Sequence, residues 1–209
     1  MKVVAINGSP RKGGNTAYAI ALVGEILRKE GIEYEEIQIG GMAIRGCLAC
    51  NTCSTVKNEK CAITTDILND TLPNMKDADG IVIASPVYYS GIAGTMKCFL
   101  DRAFYVAASN GGWFRHKVGM SIVAVRRTGG SLVFSGLNQY LTIAEMLVPA
   151  STYWNVIHGQ KPGDAVGDEE GIQTLKTLAA NMVWMLKMRE QSKAIEPQQT
   201  KKVFTNFIR

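Results

Sequence analysis

The sequence is poor in the features that define several large protein classes. No segment approaches the roughly 20 consecutive apolar residues of a membrane helix. Lys and Arg outnumber Asp and Glu by 23 to 18, but they are dispersed, and no basic run is interleaved with aromatics. That argues against nucleic-acid binding and is compatible with anionic nucleotide ligands. The two histidines, His116 and His158, are isolated, and no general acid or base stands out. Internal repeats and low-complexity tracts are missing. Met1-Lys2-Val3-Val4 opens directly into a strand, so the expectation is no signal peptide and a cytoplasmic protein. In a reducing compartment the five cysteines do not form a disulfide framework and need another explanation.

What is present is ordinary material for one globular domain. The chain has 209 residues, 46% hydrophobic and 20% charged. The expected division is a domain over residues 1–190, with a cysteine-rich loop at 46–62, and a tail over 191–209 suited to packing on a neighbouring subunit. Strand and helix patterns alternate along it. Strands are expected at Val3–Ile6, Glu33–Ile39, Gly80–Ala84, Val118–Val125 and Tyr153–Ile157. Helices are expected at Ala17–Lys29, Asp66–Met75, Ala93–Tyr105, Leu137–Leu147 and Glu169–Arg189. The apolar run Gly80–Ala84 has the character of a central parallel strand buried on both faces. Five alternations predict an α/β, doubly wound, five-stranded parallel sheet with helices on both faces.

Between the first strand and helix lies Asn7-Gly8-Ser9-Pro10-Arg11-Lys12-Gly13-Gly14-Asn15-Thr16. A glycine-rich turn between strand and helix cradles phosphate, because the helix start presents free N–H groups and a positive dipole end. Asn15 or Thr16 could cap the helix. The turn lacks G-x-G-x-x-G, the dinucleotide fingerprint, and it lacks the triphosphate loop as well. Gly8 and Gly13 are correctly spaced for the latter, but Gly14-Asn15 stand where Lys and Ser/Thr are required. The remaining donors suit one terminal phosphate.

Two further loops end strands of the same sheet, Ser85-Pro86-Val87-Tyr88-Tyr89-Ser90-Gly91 and Arg126-Arg127-Thr128-Gly129-Gly130-Ser131. In a doubly wound sheet all three lie on one edge, where such folds bind ligands. The first two loops together resemble those of the NADPH-dependent FMN reductase family of flavodoxin-like proteins. The resemblance implies a bound FMN. Ser9, Arg11, Lys12, Gly14, Asn15 and Thr16 would hold its phosphate. Pro86, Val87, Tyr88, Tyr89 and Ser90 would wrap the isoalloxazine, with Arg126, Thr128, Gly129 and Gly130 at its other wall. A flat, apolar ring with polar edges suits a tyrosine face and backbone donors.

The fourth loop is of another kind. Cys47, Cys50, Cys53 and Cys61 follow a C-x2-C-x2-C-x7-C spacing. Thiolates are soft ligands for zinc and iron–sulfur clusters, and the run of three is nearer the ferredoxin pattern. The spacing also resembles the cysteine motif of iron–sulfur flavoproteins, a branch of the same family, which implies a [4Fe–4S] cluster on these four residues. A cluster-free loop, a zinc site and a redox dithiol are the alternatives. Cys98 falls on an apolar helix stripe and is expected in packing. Trp113-Phe114 looks like an exposed pair, a lid or a subunit contact.

The resemblance implies an oxidoreductase moving electrons between NAD(P)H or a ferredoxin-like donor, FMN and the cluster. It also implies a homodimer or homotetramer that exchanges electrons with a protein or a small redox molecule. A cluster-free NAD(P)H-dependent flavin or quinone reductase is the alternative within the fold. A flavodoxin-like carrier with no substrate of its own is the alternative of another class.

Overall fold

The computed structural model describes residues 1–200 and 202–205. Its strands are β1 (Lys2–Asn7), β2 (Glu33–Gln38), β3 (Gly80–Tyr88), β4 (Gly91–Ile92), β5 (Val118–Val125) and β6 (Val156–His158). Its α-helices are α1 (Asn15–Lys29), α2 (Thr52–Val56), α3 (Leu68–Asp77), α4 (Gly94–Ser109), α5 (Gly130–Ile143) and α6 (Glu169–Ser192). Five strands are parallel in the order β2-β1-β3-β5-β6, and β4 pairs antiparallel with the end of β3. The expected parallel sheet is present, enlarged by that two-residue sixth strand.

Alternation along each central strand builds two cores. Val4, Ile6, Ile81 and Ile83 face Leu72, Leu100, Phe99 and Leu137 of α3, α4 and α5. Val3, Ala5, Val82 and Ile122 face Ile20, Leu27, Leu178 and Met182 of α1 and α6. Burial of each such side chain contributes about 1.5–3 kcal/mol. At the edge, Tyr34 of β2 lies against Gly24, where any Cβ would strike its ring. Its hydroxyl donates to the Ile20 carbonyl at 3.1 Å, and the Arg28 guanidinium stacks 5.1 Å from the ring centre.

Several boundaries differ from the sequence pattern. Strand β3 runs to Tyr88 rather than stopping at Ala84. Its pairing with β1 ends at Asn7↔Ala84, while pairing with β5 continues to Pro86↔Ala124. Past Ala84 it is paired with β5 alone in the parallel sheet, which lets proline, without an N–H, continue it. Helix α5 starts at Gly130 rather than Leu137. Its first turns are rich in Gly and Ser and gain their helicity from packing of Val133 in the core. The last strand is Val156–His158 rather than Tyr153–Ile157. Helix α2 lies inside what reads as a continuous loop. Trp113 and Phe114 are not a lid. Phe114 is buried edge-on against Phe104 with ring centres 4.8 Å apart. Trp113 packs against the same core beneath the Lys76 ammonium.

Candidate functional site

The strand order reverses between β1 and β3, and the loops leaving their carboxyl ends diverge there. Gly8 donates its N–H to the Ala84 carbonyl at 2.9 Å. A Cβ on Gly8 would lie 2.7 Å from that of Met96. Asn7 then organises the turn. Its side-chain carbonyl accepts from the Ser9 N–H at 3.0 Å, and its amide donates to Glu36 at 2.7 Å. The Ser9 hydroxyl accepts from the Arg11 N–H at 3.3 Å. From the neighbouring strand, Gln38 donates to the Ser9 carbonyl.

Helix α1 begins at Asn15 with Gly14 as its N-cap, and no side chain caps it. Asn15 and Thr16 are therefore its first residues rather than its caps. The open N–H groups of the first turn and the helix dipole meet at a cavity of about 270 Å³.

That cavity brings together Ser9, Arg11, Gly14, Asn15, Pro86, Val87, Tyr88 and Arg126 from three loops. Lys12 is exposed and does not line it. Thr16 is buried in the helix's first turn, also away from the lining. Tyr89 and Ser90 form the tight turn between β3 and β4 with φ of +49° and +58°. Tyr89 is fully exposed at its tip rather than against the cavity. Both residues adopt the left-handed conformation usually left to Asn and Gly.

Thr128 is exposed, and Gly129 and Gly130 pack closely against neighbouring elements. A Cβ on Gly129 (φ +86°) would lie 2.9 Å from Cα of Ser90, and one on Gly130 would meet Val156. None of the three lines the cavity.

The sequence reading missed a fourth loop, Gly159, Gln160 and Pro162, together with Ala124 at the end of β5. The Arg11 guanidinium donates to the Gln160 carbonyl at 3.0 Å. Asn15 accepts from the Ala165 N–H at 3.2 Å. A Cβ on Gly159 would lie 2.5 Å from the Asn15 amide nitrogen, so this backbone closes onto Asn15. The available signal was Gly159-Gln160-Lys161-Pro162-Gly163 directly after the last strand, a loop of the same composition at the same sheet edge.

The cysteine region lies between α2 and α4. Cys47, Cys50, Cys53 and Cys61 line one small pocket with Arg102 and Tyr105. Three sulfurs have donors. The Ala49 N–H reaches Cys47 at 3.4 Å, the Thr52 hydroxyl Cys50 at 3.4 Å, and the Arg102 Nε–H Cys61 at 3.3 Å. Ala49, Asn51, Lys57 and Glu59 all have positive φ, between +52° and +64°. Such conformations persist only where surroundings enforce them. Asn69 brackets the Cys61 backbone from both sides, and Asn110 donates to the Cys53 carbonyl.

The thiols differ in character. The Thr52 hydroxyl holds the Cys50 thiol below the ordinary range. Burial pushes Cys53 up, with Cys61 and Cys50 adding to it. Among the described residues no three His, Cys, Asp or Glu side chains are grouped as a site for a metal ion. Cys98 is half-buried, with Sγ beside Gly46. His116 and His158 pair with Glu196 and Asp168 at 2.5 and 3.1 Å, and neither lines either pocket.

Residues 1–161 match the NADPH-dependent FMN reductase family. An iron-sulfur flavoprotein of Methanocaldococcus jannaschii is 32% identical over 195 residues, spanning 90% of this chain and 98% of that protein. Among solved structures, RosB with bound 8-demethyl-8-formylriboflavin-5'-phosphate superposes with a TM-score of 0.69 at 18% identity, covering 100% of this chain and 92% of that one. A flavodoxin from the domain Archaea superposes with a TM-score of 0.59 at 16% identity, covering 90% and 99%. With the flavodoxin strand order and a cavity at its switch point, the chain belongs to the NADPH-dependent FMN reductase family and is a flavodoxin-like, FMN-binding oxidoreductase.

Proposed function

We propose that the chain is an iron–sulfur flavoprotein in which FMN occupies the four-loop cavity and Cys47, Cys50, Cys53 and Cys61 hold a [4Fe–4S] cluster. The observation that carries this is the second pocket. Four thiol side chains line it, and three of the sulfurs receive N–H or O–H hydrogen bonds. Soft donors with hydrogen-bonded sulfurs fit a thiolate-bound cluster. The likeness to an iron-sulfur flavoprotein supports the same reading.

Bound FMN would accept electrons in a pair and release them singly, which suits exchange with a one-electron cluster. The chain's own residues position and shield. Ser9, Asn15 and the uncapped start of α1 receive the phosphate, and Arg11 neutralises it from a place fixed by Gln160. Tyr88 and Pro86 supply a flat apolar wall. Arg126 offers a cation that favours an electron-rich ring.

The donor is NAD(P)H or a ferredoxin-like protein, and the assembly is a homodimer or homotetramer. Exposed Val203 and Phe204 support contact between copies. The last four residues of the expected docking tail, Asn206–Arg209, lie outside the described residues.

Anaerobic purification followed by iron, sulfide, zinc and flavin analysis tests the reading. About four irons and four sulfides per chain beside one FMN are expected. Zinc, or flavin without iron after reconstitution, overturns the cluster. Failure of NADPH, NADH and a reduced ferredoxin alike to reduce the flavin overturns the proposed donors.

A further inference from the structure

Arg102 is the one charged residue on the buried stripe of α4, between Phe99 and Val106. Its side chain is completely buried, and its ion-pair partner Asp66 is 3% exposed. A guanidinium has five N–H donors, and here all five have acceptors. Nε–H donates to Cys61 Sγ at 3.3 Å. Nη1 serves the Arg45 carbonyl at 3.0 Å and Asp66 Oδ2 at 2.5 Å. Nη2 serves the Ile63 carbonyl and Asp66 Oδ1, both at 3.2 Å.

These acceptors stand on both sides of the cysteine run. Arg45 precedes Cys47, Ile63 and Asp66 follow Cys61, and Cys61 is the last cysteine of the four. One buried fork thus ties the incoming and outgoing strands of the loop to α4. A buried ion pair is a poor source of stability by itself, because desolvation offsets much of the attraction. Its value here is geometric. A lysine offers a point charge and cannot serve five directions at fixed angles.

We propose that Arg102 is the positioning residue of the cysteine site. It clamps the neck of the loop over residues 45–66, places Cys61, and raises the reduction potential of the group the four cysteines hold. The physical cause is the charge-assisted N–H···S bond, which draws electron density from the ligand sulfur and so favours the reduced state. The clamp is a property of the polypeptide. The effect on potential rests on the cluster reading above.

Two variants test it. Arg102→Lys keeps a cation opposite Asp66 and lacks the fork. Arg102→Gln combined with Asp66→Asn removes both charges and leaves no buried ion alone. In metal-free protein, amide exchange over residues 45–66 is expected to accelerate about tenfold or more in both, as for loss of a charge-assisted hydrogen bond. Exchange at the loop from Ser9 to Asn15 stays as in the parent. Unchanged exchange over 45–66 overturns the clamp, and equal acceleration in both loops shows general loosening and overturns it too.

In reconstituted protein, a spectroscopic redox titration is expected to show a lower cluster potential in both variants, with the FMN potential unmoved as internal control. A cluster potential equal to the parent's in fully loaded variants overturns the electronic part. Absence of iron and sulfide from the reconstituted parent overturns the cluster reading instead, and the exchange experiment still decides the clamp.

Discussion

The two sites of this molecule are held by different means. The four-loop cavity is a product of the sheet. Its loops leave adjacent strand ends whose register is fixed by pairing from Asn7↔Ala84 to Pro86↔Ala124. The uncapped start of α1 and side chains of Ser9, Arg11, Asn15 and Arg126 face it. The cysteine pocket has no strand in its walls. It is a chain excursion drawn together by side chains: Arg102, Asn69 and Asn110 on carbonyls, and hydroxyl and guanidinium donors on sulfur. A site built on strand ends tolerates the loss of one side chain, since the backbone remains in place. A site gathered by side chains depends on each of them.

That contrast can be broken experimentally, and the largest effect is expected at the cysteines. Cys53→Ser, at the buried member of the four, should remove most of the bound iron while leaving FMN content at one per chain. Parallel loss of flavin would show that the two sites are not separately supported. Elemental analysis beside the visible spectrum is the measurement.

The reciprocal variant is Gly159→Ala, whose Cβ would fall 2.5 Å from the Asn15 amide. FMN should bind about tenfold more weakly, a change of about 1.4 kcal/mol, with iron content retained. Flavin fluorescence titration reads it, and parent-like affinity would remove Asn15 from the phosphate site.

A pure sheet defect should behave differently from both. Gly24→Ala on α1 drives a methyl into the Tyr34 ring. It should lower stability by about 1–3 kcal/mol while leaving both cofactor contents at parent level. Chemical denaturation checks the first, and selective loss of either group would show that one site depends on this helix–sheet contact.

The smallest expected effect concerns acid. Burial alone would raise the Asp66 carboxyl, but the Arg102 hydrogen bonds outweigh it and hold it below the ordinary range. A carboxyl depressed in the folded state contributes stability that is present above its unfolded value near 4. That stability is lost as pH falls through the lower folded value. Amide protection over 45–66 should therefore fade below about pH 4 before protection at the phosphate loop does. Asp66→Asn should abolish the difference, and simultaneous loss in both loops would refute it.

Legibility in the sequence follows the same division. The sheet could be read because Val3–Ile6, Gly80–Ala84 and Val118–Val125 are apolar runs bounded by turn residues, and parallel pairing leaves few alternatives for them. The turn from Asn7 to Thr16 could be read as part of the sheet-edge cavity because its glycines and its position between strand and helix mark it. The closing loop at Gly159 was passed over because its partner Asn15 lies 144 residues earlier, and only the fold brings them together. Arg102 reads as one more basic residue of a helix. Its role depends on which face of α4 is buried and on where Arg45 and Asp66 come to lie. The run Ser85–Tyr88 reads as loop after Ala84, because proline marks a break unless the neighbouring strand has already stopped.

Contacts at the exit of β2 tie the two regions. Gly40 stands where the chain leaves β2 for the cysteines, and its N–H donates to the Asn7 carbonyl at 3.0 Å. Any Cβ there would run into the backbone of Ser9 and Pro10. The root of the cysteine excursion is thus seated on the turn after β1 itself. A residue inserted or deleted before Gly40 would shift the turn as well as the excursion. Arg102 fixes the excursion again at Arg45 and Asp66, so a longer or shorter excursion is best grafted between those anchors, on the same sheet-edge frame.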